Sequence, residues 1–81
     1  MGERTEVRMP WLHLSGGGEY LPSKNKFDGE YRWQKVDERI DNYIPMNNVY
    51  RIEKHQDTGT VFIFCTNGDI WRPINYTTKC I

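Results

Sequence analysis

Runs of β-branched and aromatic residues, separated by turn-forming residues, dominate the second half of the chain. In chain order, the runs and the turns between them are residues 44–54, 55–59, 60–66, 67–68 and 69–74. Runs of this length and composition are typical of strands, and short polar connections join antiparallel neighbours. Asn67-Gly68 predicts a two-residue type I′ turn, because both residues tolerate a positive φ. The pattern therefore predicts an antiparallel meander over residues 44–74.

The middle run of this meander is apolar on both faces. In a strand, Val61, Ile63 and Cys65 point to one side while Phe62 and Phe64 point to the other. A sheet with one wet face would carry polar residues at alternate positions. The strand is therefore central in a small barrel whose second layer covers it, or lies in a homodimer interface, or presents its Phe side chains to another protein. We expect the first of these arrangements.

The first half of the chain predicts further strands. Residues 5–14 form one, and Pro10, which has no N–H group, places it at a sheet edge or bends it. The Ser-Gly-Gly-Gly run at 15–18 predicts a flexible loop, because the Gly-Lys-Ser/Thr of a phosphate-binding loop does not follow it. Asp28-Gly29 predicts a second hairpin, with residues 31–36 as the returning strand.

Residues 37–44 are the only segment with a helical pattern. Apolar residues recur there at helical spacing, Asp37 can cap the start, and Pro45 ends the run. The tail, residues 75–81, either adds a last short strand or frays. Together these elements predict a small antiparallel β domain of five or six strands. It is SH3-like or a partly closed barrel, with at most one short helix.

Length and composition narrow the classes of protein that fit. The chain has 81 residues, a formal net charge of zero and 14% aromatic residues, which favours one small folded domain over residues 1–81 and excludes a disordered chain. A neutral charge argues against general affinity for nucleic acids, which depends on excess Lys and Arg. The sequence lacks an apolar run of bilayer length and a signal-peptide pattern, so we expect a soluble cytoplasmic protein.

The residues that could carry chemistry do not form a catalytic or metal-binding pattern. His13 and His55, the only histidines, are not at metal-ligand spacing from each other or from a cysteine. Cys65 lies within an apolar strand, where burial raises the pKa of a thiol and lowers its reactivity. With Cys80 it predicts two free thiols, the alternative being one bridge that ties the tail to the sheet. We expect neither an enzyme nor a cofactor.

A non-catalytic protein-binding module is the function that remains by elimination. In size, neutral charge and richness in Trp, Tyr and Arg, the chain resembles small accessory proteins, including phage-encoded ones, that bind and modulate or inhibit a larger host protein. Trp, Tyr and Arg also dominate the energetics of most protein interfaces. A homodimer formed through the meander is compatible with this function. The predicted partner-binding residues are Tyr31, Trp33, Tyr50, Phe62, Trp71 and Arg72.

The alternative function is binding of single-stranded nucleic acid by a small β-barrel. Such barrels stack bases on exposed aromatic rings along a basic groove. Rings and cations alternate around the predicted second hairpin, although the same pattern arises whenever one face of a hairpin is core and the other is solvated. The residues of this alternative site are Lys24, Lys26, Arg32, Trp33 and Lys35.

Overall fold

The computed structural model describes residues 10–23 and 32–80, which form one antiparallel sheet of six strands with one 3-10 turn. The strands are β1 Pro10–Leu21, β2 Gln34–Val36, β3 Asn42–Pro45, β4 Val49–Lys54, β5 Val61–Cys65 and β6 Ile70–Cys80, and the 3-10 turn is Met46–Asn48. The predicted fold class, a small mainly β domain, is confirmed, and the sheet is partly open. The predicted Asp28-Gly29 hairpin and residues 5–9 of the predicted first strand lie outside the described residues.

The first strand is the centre of the sheet. The strand order is β2-β1-β6-β5-β4, and β3 also pairs with β1, so that the first half of β1 lies between β3 and β6 and the second half between β2 and β6. Of the two arrangements predicted from Pro10, an edge strand or a bend, the edge position is therefore wrong. Pro10 is the first residue of β1, where the missing N–H group costs no interior ladder bond.

The glycine run at 15–18 is not a loop, as the sequence predicted, but a bulge inside β1. The register to β6 shifts between Ser15 and Gly18, so that two residues of β1 oppose one residue of β6. Gly18 has a φ of 118°, and a Cβ atom there would collide with the carbonyl oxygen of Arg72. Position 18 is glycine because two backbones approach closely there.

The β5–β6 hairpin is present, but its turn differs from the predicted type I′. The Cys65 N–H donates to the Asp69 carbonyl oxygen, and the Gly68 N–H donates to the Cys65 carbonyl oxygen, both at 2.9 Å. Only Gly68 has a positive φ, of 98°, and Asn67 does not. This is a three-residue loop that ends in a left-handed glycine. Asn67 Oδ1 stabilises it by accepting the Asp69 N–H at 2.9 Å.

Residues 37–44 are not helical. The Asp37 side chain accepts the Arg39 N–H at 2.9 Å and its carbonyl oxygen accepts the Ile40 N–H at 3.1 Å, which makes a turn instead of a helix cap. The chain then enters β3, whose Ile44 pairs with Leu12 of β1. A helix of one or two turns is marginal alone, and pairing with the central strand is the stronger interaction. The predicted tail strand is realised as the second half of β6.

The core lies on one face of β5. Ile63 is completely buried, as predicted, while Phe62 and Phe64 on the other face are half-buried. Leu21 is also buried but is not part of this core cluster. The core cluster consists of Leu12, Leu14, Ile44, Val61, Ile63 and Cys65.

Candidate functional site

A row of aromatic rings covers the face of β5 that points away from the core. Phe64 and Phe62 lie opposite Arg51 and Glu53 of β4, so these four side chains share that face. Rings from the residue before β2, from β4 and from the β4–β5 loop complete the row. We call this surface the aromatic face and define it by Trp33, Tyr50, His55, Phe62, Phe64 and Arg72.

Phe62 is the centre of the aromatic face. Its ring centroid lies 6.2 Å from that of Trp33, 5.3 Å from that of His55 and 6.5 Å from that of Phe64. Phe64 in turn lies 6.2 Å from Tyr50. The rings meet in tilted and edge-on geometries, which are favourable aromatic contacts. The row is therefore held in place by contacts among its own members.

Arg72 adds a fixed cation to one end of the row. Its guanidinium carbon lies 5.3 Å from the centroid of the Trp33 ring, and its Nη2 makes an ion pair with the Glu19 carboxylate. Glu19 lies directly opposite Arg72 in the β1–β6 ladder and opposite Lys35 in the β1–β2 ladder. A guanidinium held by a ring and by a carboxylate presents its charge in a defined direction.

A second group of charges lies at the other side of the face. Arg51 Nη2 is 2.6 Å from Glu53 Oε2, and His55 Nε2 is 3.5 Å from Glu53 Oε1. Such partly exposed pairs contribute little to folding stability. Glu53 thus places a carboxylate beside Arg51, as Glu19 does beside Arg72.

The structure brings together four of the six predicted partner-binding residues. Trp33, Tyr50, Phe62 and Arg72 all belong to the aromatic face. Trp71 does not, because it lies opposite Ile63 in the β5–β6 ladder, on the core side. Tyr31 lies outside the described residues.

Trp71 has a packing role in the described structure. Its ring stacks on Tyr20 with the centroids 4.7 Å apart and packs against the core cluster. Since neighbouring residues of a strand point to opposite faces, only one of Trp71 and Arg72 can lie on the aromatic face.

The alternative nucleic-acid site is described only in part. Lys24 and Lys26 lie outside the described residues. Arg32 and Lys35 are exposed, and Lys35 lies opposite Glu19, beside the Arg72 ion pair. The β1–β2 ladder thus places Lys35 near the ion pair between Arg72 and Glu19.

Sequence reasoning missed several members of this surface. Phe64 was considered together with Phe62 as a side chain that the strand could present to another protein, but it was left out of the predicted partner-binding residues although it shares the parity of Phe62. His55 lies in a loop, so the strand pattern does not predict its contact with Phe62. Glu19 becomes the partner of Arg72 only through the β1–β6 register, which pairs segments from opposite ends of the chain.

An open groove of about 770 Å³ adjoins the aromatic face. It lies where β5 and β6 separate, because these strands pair only at Ile63 with Trp71 and at Phe64 with Ile70. Its walls are the glycine bulge, part of β2 and residues 58–61, and its charged lining residues include Glu19, Lys35 and Arg72. Histidine and cysteine are not among its described lining residues.

The two thiols differ in environment. Burial, and secondarily the nearby Asp69 carboxylate, raise the pKa of Cys65 from 9.0 to about 11, while a hydrogen bond with Trp71 opposes the shift. Cys65 is free and buried, and Cys80 is free and exposed. In residues 10–23 and 32–80 there is no group of three or more His, Cys, Asp or Glu side chains placed to hold a metal ion.

Comparisons with known proteins do not identify a relative. No protein-family model matches the chain, and no curated protein sequence and no solved structure matches it either. Across the described part of the chain, none of the helical segments is long and apolar enough to cross a membrane. Function therefore has to follow from the geometry of the surface itself.

Proposed function

We propose that this chain is a non-catalytic protein-binding module that docks a larger protein through the aromatic face. The observation that carries the proposal is the continuous row Trp33–Phe62–Phe64–Tyr50, with Arg72 held over the Trp33 ring. Clustered Trp, Tyr and Arg side chains are the residues on which interface energetics most often depend.

The row is ordered before any partner arrives. Each ring touches at least one other, and Arg72 is held by Glu19, so binding has little side-chain motion left to restrict. Phe62 and Phe64 are half-buried, and Tyr50 is 66% exposed. A partner that covers the remaining ring surface gains roughly 25 cal/mol for each Å² of apolar area removed from water.

A module with this surface acts by occupying a surface of its partner. The proposed role is that of a phage-type accessory protein of the cytoplasm, which modulates or inhibits a larger host protein by binding it. Neutral flanking pairs such as Arg72 with Glu19 suit a protein surface of mixed charge. The proposal needs no cofactor and no membrane.

A matched pair of tyrosine variants tests the proposal. Tyr50 belongs to the aromatic face and contacts Phe64. Tyr43, which is 42% exposed, stacks on His13 outside that face. We expect capture of a stoichiometric host protein from a lysate, read by mass spectrometry, to be lost with Tyr50→Ala and retained with Tyr43→Ala. Equal retention by both variants, with Phe62→Ala also retaining the partner, would contradict docking at the aromatic face.

Binding of single-stranded nucleic acid is the second candidate, and the Arg72–Trp33 contact with Lys35 nearby is what favours it. We rank it lower because carboxylates neutralise Arg72 and Arg51 and repel phosphates. The ranking reverses if an oligonucleotide binds at micromolar concentration in a salt-sensitive manner. Trp33→Ala should then remove about 1–3 kcal/mol of that affinity.

A further inference from the structure

Among the residues that the structure describes, the outer edge of β6 is long and open. On the side away from β1, the described residues pair with β6 only at Ile70 and Trp71. Every residue from 74 to 80 is exposed, including Ile74 at 66% and Tyr76 at 36%. This edge therefore presents a row of backbone N–H and C=O groups to solvent, which is a template for another strand.

The usual protections of an edge strand are scarce along this segment. Proteins block open edges with charged side chains, prolines, bulges or very short strands. Beyond Pro73, residues 74–80 contain no proline, and Lys79 is their only charged side chain. The bulge of this ladder lies in β1 and not in β6. A strand edge of seven residues with so little protection is suited to pairing with another strand.

We propose that residues 74–80 of β6 pair with the same residues of a second copy of this chain, as antiparallel strands that join two sheets into one. A second copy is the occupant because its segment is already a strand, so pairing does not bear the cost of ordering a flexible peptide. The formal net charge of zero also leaves no overall repulsion between two copies.

A two-fold axis defines the register of this pairing. Full overlap of residues 74–80 with their copy places Thr77 opposite Thr77 of the second copy. Asn75 then lies opposite Lys79, and Ile74 lies opposite Cys80. The Thr77 pair lies on the axis and occurs once, whereas each of the other pairs occurs twice. The two Cys80 thiols lie at opposite ends of the new ladder, so the dimer does not depend on a disulfide.

A matched pair of substitutions at Asn75 tests the proposal. Asn75→Lys places a lysine opposite Lys79 of the second copy, whereas Asn75→Glu places a carboxylate there. Wild type and variants are compared by sedimentation velocity at low salt over concentrations on the order of micromolar to millimolar, since a short ladder makes a weak dimer. We expect dimerisation of the wild type, and a roughly two- to thirtyfold rise in Kd with Lys and fall with Glu.

The double variant Asn75→Lys, Lys79→Glu is the rescue control, because it restores opposite charges across the axis. We expect its dimerisation to return to or exceed that of the wild type, and a reducing agent to leave all dimers intact. Unchanged melting temperatures at low concentration show that the monomer fold is kept. A wild type that remains monomeric throughout, a dimer that responds equally to Lys and Glu, or one lost on reduction would each overturn the proposal.

Discussion

Gly18 is the residue at which the close approach of β1 and β6 can be tested directly. A Cβ atom there would lie 2.9 Å from the Pro73 Cα and would collide with the Arg72 carbonyl oxygen, with a φ of 118°. We expect Gly18→Ala to lower the free energy of unfolding by more than about 2 kcal/mol, because backbone atoms must move apart. Urea denaturation measures this loss.

Gly59 provides the control for that substitution. Its φ is also positive, at 76°, but a Cβ atom there would meet nothing within 4 Å. Gly59→Ala should therefore cost only the strain of the left-handed conformation, about 1–2 kcal/mol. If both variants lost the same free energy of unfolding, the backbone conformation alone would explain the loss at Gly18. The close approach of β1 and β6 would then make no contribution to it.

Individual site residues were predictable where the strand period alone decides their direction. Phe62 and Trp33 were identified as candidates from their runs, and the structure brings them into one row. For Trp71 and Arg72 the period separates the two residues but does not tell which of them points inward. That choice depends on the β5–β6 register, where Trp71 meets Ile63. Short-range pattern carries no information about such a pairing.

Among the elements, β5 carries core residues on one face and partly exposed residues on the other. Ile63 is completely buried, whereas Phe62 is half-buried among Trp33, His55 and Phe64. Ile63→Ala should cost roughly 2–5 kcal/mol through lost burial and a residual cavity. Phe62→Ala should cost less, because solvent reaches its site, and it should impair capture of the partner protein.

Thermal unfolding at several protein concentrations checks this difference. Both losses should be independent of concentration, because β5 lies between β4 and β6 and away from the open edge of β6. Equal destabilisation by the two substitutions, with partner capture retained wherever the fold survives, would remove β5 from the binding surface.

The elements that the sequence predicted well are those held by neighbours in the chain. The β4–β5–β6 meander is such a case, because each strand pairs with the next one. β1 and β3 were predicted poorly, and for one reason. The glycine bulge and the strand at 42–45 are both fixed by pairing with distant segments, β6 and β1 respectively. Tertiary pairing overrides weak local preferences such as the helical pattern of residues 37–44.

For the whole molecule, the Cys65 thiol predicts how stability depends on pH. Its folded pKa of about 11 is above the ordinary value of 9.0, so the folded state holds this proton to higher pH than the unfolded state. The contribution of the protonated thiol is therefore complete below pH 9.0 and declines as pH rises through about 11.

The matched variant for this effect is Cys65→Ala, which has no thiol to titrate. We expect the difference in unfolding free energy between wild type and variant to shrink as the solution is made alkaline. Denaturant titrations across that range measure it, and other titrating groups cancel in the difference. A difference that stays constant with pH would show that Cys65 ionises equally in the folded and unfolded states.

The pairing of β1 with β6 also sets the order in which the molecule can fold. Pro10 meets Cys80, so the central strand waits for a partner from the far end of the described chain. Closing so long a loop costs entropy before any of its contacts form, and topologies of this kind fold slowly. The local β4–β5 hairpin can form early, but while the chain is being synthesised β1 has to remain without β6 until the last strand emerges. During that interval the edge of β1 that β6 later covers lacks its partner, whereas β2 and β3 are already available to pair with the other edge.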